Sequence, residues 1–208
     1  MSFTQWISDP SIELQDLTLA MKSRSYASGR RIYTFRIEQQ KFWLKFHEPN
    51  IHKGLEQAFQ RELEFYQENE KIHSNLLLPY QVVQFDQNTA FQSIVDQGQG
   101  LILLNAEPFF TDISQLKSLE AIQQKIITAL DSLNELHQLG WIHGDLKPDH
   151  FRQMDNACKL IDFEQSFKLQ SPILEMNATP HYMAPELFHG QSKSVQSDLY
   201  TFGIILYE

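Results

Sequence analysis

The chain's 208 residues carry 17 Lys and Arg against 26 Asp and Glu, a net charge of −9, and 42% of them are hydrophobic. That balance suits one sizeable core or two smaller ones. It argues against a disordered chain and against a broad nucleic-acid surface, which needs clustered basic charge. The single cysteine, Cys158, leaves no internal disulfide and fits a reducing, cytoplasmic setting. The opening "MSFTQWISDP" has neither the basic nor the apolar region of a secretion signal, and "FGIILY" is too short for membrane insertion.

In chain order, "IYTFRI" (32–37) and "KFWLKF" (41–46) read as a hairpin turning at Glu38, Gln39 and Gln40. A helix is predicted at about 55–70, where Leu55, Ala58, Phe59, Leu63 and Phe65/Tyr66 recur every three or four positions. "YQVVQFD", "TAFQSIVD" and "GLILL" read as further short strands, so the first part is an antiparallel sheet carrying one helix. From Ser118 to Gln138 the pattern is a long amphipathic helix with Leu119, Ile122, Ile126, Leu130 and Leu133 in one stripe, ended by Gly140. A polar loop, "WIHGDLKPDHF" (141–151), follows directly. Then come a strand "CKLIDF" (158–163), a loop of more than twenty residues and a last helix at about 197–208. The sum is α+β: a β-rich lobe, a connector and a helical lobe, with the cleft between lobes a favoured place for ligands.

The chemistry concentrates in the polar loop. A lone loop aspartate is ordinarily a cap or turn residue. Asp145, however, shares its loop with Lys147, and Asp162 follows across a short strand, so the chain can fold back and bring the two carboxylates together. One can orient or deprotonate a hydroxyl and the other can hold a divalent cation through oxygen, while Lys147 stands where phosphate charge would develop. Such a set suits phosphoryl transfer.

"HGDLKPDH", "IDF", "ATPHYMAPE" and "SDLYTFGIILYE", in this order, resemble the protein-kinase fold over roughly residues 23–208. The resemblance implies one kinase-like domain over 1–208, with an N-lobe to about 105, a hinge at about 104–108 and a C-lobe from about 109, truncated after the helix carrying Asp198. It implies that Asp145 orients the acceptor hydroxyl and that Asp162 binds metal. Lys45 would contact the nucleotide phosphates, with Lys41 as competitor. Glu62 would pair with that lysine, with Glu64 and Glu68 as rivals. Glu186 would be a structural ion-pair partner, and Asp198 a buried acceptor for the catalytic-loop backbone. Lys147 and Thr179 resemble the serine/threonine kinases rather than the tyrosine kinases, with Thr179 bonding the Asp145–Lys147 pair, and the resemblance as a whole is to the bacterial type. ATP, Mg²⁺ or Mn²⁺, and a protein substrate are implied with it.

The pattern is also broken in places. Only Gly29 stands in the turn "SRSYASGRRIY", where the family has three nucleotide-binding glycines. Trp43 takes the place of a small residue. His150 takes the place of an asparagine that ligates a second metal, which makes it a candidate ligand favouring Mn²⁺. Glu164 replaces a glycine, and Gly144 replaces the arginine that reads activation-loop phosphorylation, although Ser166 and Ser171 lie in that segment. These departures keep two alternatives open: a catalytically silent kinase fold binding a nucleotide or partner, and a small-molecule or sugar kinase. The pair His150–Phe151 resembles the lipopolysaccharide-core sugar kinases.

Overall fold

A computed structural model describes residues 12–21, 23–70, 76–85, 90–110, 118–171 and 179–208. In order, the first elements are β1 (Gln15–Leu19), α1 (Ser23–Ala27), β2 (Arg30–Ile37), β3 (Gln40–His47), α2 (Lys53–Glu68), β4 (Tyr80–Phe85) and β5 (Gly98–Leu104). There follow β6 (Glu107–Pro108), α3 (Leu119–Gln138), β7 (Trp141–Ile142), β8 (Phe151–Met154), β9 (Ala157–Leu160), β10 (Phe167–Lys168), α4 (Pro185–Phe188) and α5 (Val195–Tyr207). The architecture is α+β, as the sequence predicts. Two compact units divide it: the described residues up to Glu70 with Leu78–Asn105, and Leu76–Leu77 with Ala106–Glu208.

The first unit is an antiparallel sheet in the order β1-β2-β3-β5-β4. β2 and β3 turn through Glu38 and Gln39, with Ile37 opposite Gln40. Strand alternation puts Phe42, Leu44 and Phe46 on a buried face and Trp43 and Lys45 on the other. On the buried face Phe35 stacks on Phe42, Phe46 meets Phe85 edge-on, and Phe91 closes against both Phe35 and Phe85. Phe91 comes from "TAFQSIVD", predicted as a strand. The segment forms a turn in which Ile94 and Val95 both donate to Phe91 O, because its alternating pattern serves one aromatic plug and has no strand to pair with. Thr89 lies outside the described residues. Helix α2 begins with His52 accepting from Leu55 N and buries Ala58, Phe59, Glu62, Leu63, Phe65 and Tyr66. It is tied to β4 by Tyr80 Oη donating to Tyr66 O at 2.7 Å.

In the second unit α3 is capped by Ser118 and packs on β9, where Ser132 Oγ donates to Cys158 O at 2.7 Å. Its deeply buried residues are Ala129, Ser132, Leu133 and Leu136; of the predicted stripe Leu133 is among them, Ile122, Ile126 and Leu130 are half-buried and Leu119 is exposed. The helix is most deeply buried along its second half, where the small residues Ala129 and Ser132 face inward, while Lys125 of the first half lies over the Phe109 ring. β6, β8 and β9 form a three-stranded sheet, and β7 pairs with β10. Neither arrangement is visible in the sequence pattern, because two-residue strands have no period. The predicted strand at 158–163 ends at Leu160: Ile161 N turns back to His150 O, and Asp162 adopts φ +66°. Within the predicted long loop, the described residues include β10, a 3-10 turn at Pro180–Tyr182 and α4. Phe151, Phe110 and Phe202 cluster beneath α5. No helix among the described residues is long and apolar enough to cross a membrane.

Candidate active site

The polar loop leaves β7 at His143, whose fully buried imidazole donates from Nε2 to Ile161 O at 3.1 Å. Burial first, and the neighbouring His150 second, push its pKa down to about 4, so the ring is neutral. Gly144 follows at φ +78°. A Cβ there would lie 2.5 Å from Gln165 O and 3.0 Å from Lys193 Cδ, which only glycine avoids. Lys193, itself buried, thus crosses the backbone at the position where the family carries arginine.

Asp145 comes next, and both oxygens of its carboxylate are engaged. Oδ1 accepts from Thr179 N at 2.7 Å and from Thr179 Oγ1 at 2.8 Å, and Oδ2 meets Lys147 Nζ at 2.8 Å. Lys147 is held close because the Pro148–His150 turn begins immediately after it. A small recess of about 10 Å³ beside the group is lined by Asp145, Thr179, Tyr182 and Met183 and runs inward to the buried Ser197 and Asp198.

The loop is anchored from behind by Asp198 in α5. Its Oδ2 accepts from His143 N at 2.8 Å and its Oδ1 from Gly144 N at 2.9 Å. A third partner, His137 Nε2 at the end of α3, reaches Oδ2 at 3.0 Å. Three donors make burial of this carboxylate, 2% exposed, affordable. Asp198 reaches the loop because the Ser194–Ser197 capping box starts α5 one turn earlier.

Asp162 is about a third exposed, and its Oδ2 lies 3.2 Å from His150 Nε2. His150 is buried, its ring 5.5 Å from that of His143. Glu164 is buried in the turn after Asp162.

In the first unit Lys45 Nζ lies 2.6 Å from Glu62 Oε2, with the glutamate 1% exposed. Lys41, Glu64 and Glu68 are all exposed, so burial separates the pair from its rivals. Trp43 Nε1 donates to Asn105 Oδ1 at 2.7 Å, fixing the indole. Gly29 stands in a turn with φ +91°, its N donating to Tyr26 O and its O accepting from Glu48 N. Where the sequence suggests an open turn, residues 23–27 form the short helix α1. Arg31 latches it, its guanidinium 3.6 Å from the Tyr26 ring centre and donating to Tyr26 O at 2.7 Å.

The profile of the protein kinase domain matches residues 32–208. The chain belongs to that family. Over 78 residues this kinase domain is 36% identical to the cGMP-dependent protein kinase of Toxoplasma gondii, a match covering 37% of the chain and 8% of that protein. Over 83 residues it is 43% identical to the serine/threonine-protein kinase RUNKEL of Arabidopsis thaliana, covering 37% and 6%. Over 143 residues it is 28% identical to the serine/threonine-protein kinase ppk34 of Schizosaccharomyces pombe, covering 65% and 39%. The matches thus span well under two thirds of the length of each of these relatives.

Within the kinase domain, Glu186 sits in α4 with its carbonyl accepting from His189 N and Gln191 N; the ion pair expected of it is not found among the described residues. Ser166 is buried and donates to His143 O at 3.0 Å, so it serves the loop and is not accessible for modification, whereas Ser171 is exposed. His137 and Lys193 were invisible to sequence reasoning: one looks like a helix-end histidine, the other like a loop lysine.

Proposed function

We propose that this kinase domain transfers the γ-phosphoryl group of ATP to a serine or threonine hydroxyl of a protein substrate. The observation that supports it best is the Asp145–Lys147–Thr179 cluster, in which one carboxylate is oriented by a backbone amide, a hydroxyl and an ammonium at 2.7–2.8 Å. Asp145 orients the acceptor hydroxyl and receives its proton as the new O–P bond forms and the bond to ADP breaks. Lys147 offsets charge on the transferred group. Lys45, held by Glu62, has the chemistry to pair with nucleotide phosphate.

The donor chemistry fits a divalent cation at Asp162, a partly exposed carboxylate of the hard-oxygen type that Mg²⁺ prefers and Mn²⁺ accepts. When bound, such an ion neutralises phosphate charge. Asp162 would hold it.

A second reading, a silent kinase fold that binds a nucleotide or partner, is favoured by the latched helix α1 and by the engaged amide of Gly29. Transfer of labelled γ-phosphate to protein, peptide and sugar acceptors separates the readings. Asp145→Asn should cut turnover by roughly 10²-fold or more with nucleotide affinity nearly unchanged, and Asp162→Asn should lower both. Nucleotide binding without transfer in the unaltered protein would favour the silent fold, and transfer to sugars alone the sugar kinase.

A further inference from the structure

His150 invites a ligand role by its position, and its 3.2 Å distance from Asp162 Oδ2 does not decide the matter. Two donors about 2.1 Å from one ion at right angles are themselves roughly 3 Å apart. The far side of the ring is what discriminates. Nδ1 is buried and has no hydrogen-bond partner among the described residues. A histidine that ligates through Nε2 carries its proton on Nδ1 and almost always gives it to an acceptor. Here that N–H would be buried and unmet, which costs the desolvation of a donor with nothing to offset it. The opposite tautomer leaves only a lone pair unmet on Nδ1 and aims Nε2–H at the carboxylate.

The ring has little freedom to escape this choice. His150 N donates to Lys147 O, and its carbonyl accepts from Ile161 N, so the backbone is tied on both sides. His143 covers one face of the ring at an interplanar angle of 30°. His143 gives its Nε2–H to Ile161 O and accepts from Asp145 N at its Nδ1, 3.4 Å away, so both of its nitrogens are engaged away from Nδ1 of His150.

We infer that His150 is a positioning residue for Asp162, donating to its carboxylate through Nε2–H, and is not itself a cation ligand. The carboxylate is thereby held by an N–H donor, and this region contributes one cation-binding side chain where the family pattern contributes two. That cation-binding part rests on the reading of Asp162 given above. The tautomer does not.

Two measurements test it. In ¹⁵N-histidine-labelled protein, with the His150 signals assigned by their loss in His150→Gln, NMR should show Nε2 protonated and Nδ1 bare. Adding MgCl₂ should leave that pattern unchanged. A proton on Nδ1, before or after Mg²⁺, overturns the inference. With Mn²⁺ alone, electron spin-echo spectra should carry no modulation from a directly bound imidazole nitrogen. A nitrogen signal abolished by His150→Leu would overturn it as well. His150→Leu should weaken Mn²⁺ binding by roughly 10-fold or more, as loss of an outer partner does, and His150→Gln, which keeps a donor, should recover much of it. Failure of the unaltered protein to bind Mn²⁺ would count against the cation role of Asp162, and the tautomer measurement would then decide the case of His150 by itself.

Discussion

At the residue scale, two histidines seven residues apart do different work through the same tautomer. His143 is fully buried, with its pKa lowered from 6.5 to about 4. Below pH 6.5 the unfolded chain takes up a proton that the folded chain refuses, so stability falls as pH falls, and the loss from this group is complete below about pH 4. The difference amounts to about 3 kcal/mol. Urea unfolding in metal-free buffer should show this acid limb, and His143→Gln should flatten it even though the substitution lowers stability at neutral pH. An unchanged slope would mean that the ring charges in place. Glu62 illustrates the other residue-scale lesson. Three glutamates on α2 compete for Lys45 in the sequence, and only burial distinguishes them.

At the element scale, α5 is the piece on which the loop's geometry hangs. Asp198 stands one turn inside the helix, and the helix start is held by Ser194 Oγ accepting from Ser197 N and Ser197 Oγ accepting from Ser194 N. Ser194→Ala should cost about 1 kcal/mol, and Ser194→Gly only a few tenths. Both should move the urea midpoint with an unchanged slope. Because a frayed first turn withdraws Asp198 from His143 N and Gly144 N, amide exchange at those two positions should rise in Ser194→Ala before it rises elsewhere in the unit. Equal protection at both positions would separate the cap from the loop. α1 makes the complementary point: a segment of five residues with little helical pattern is a helix because Arg31, four positions beyond it, supplies a stacking partner and a donor.

At the scale of the whole molecule, nucleotide binding reads out the family's expectation for ATP and Mg²⁺. At a hundredfold excess over its dissociation constant, Mg²⁺–ATP should stabilise the protein by about 2.7 kcal/mol, a rise in Tm of roughly 5–10 °C for a chain of this size. A shift lost in Lys45→Met but kept in Asp145→Asn would separate binding from transfer; no shift with any nucleotide would remove ATP from the account. The sequence by itself determined the α+β class, the long helix ending before Gly140, the hairpin and the placing of Asp145 with Lys147 in one kinase-like motif and of Thr179 in another, because these rest on local periodicity and on residue types at short spacing within each motif. It did not determine that His137 and the loop share Asp198, 61 residues beyond His137, that Lys193 occupies the ground over Gly144, that His150 turns Nε2 to Asp162 with Nδ1 unmet, or that Phe91 plugs a sheet instead of extending it. Those outcomes depend on which distant segments meet, and in what register. A side chain's partner, burial and tautomer are properties of that meeting, and no window of sequence contains them.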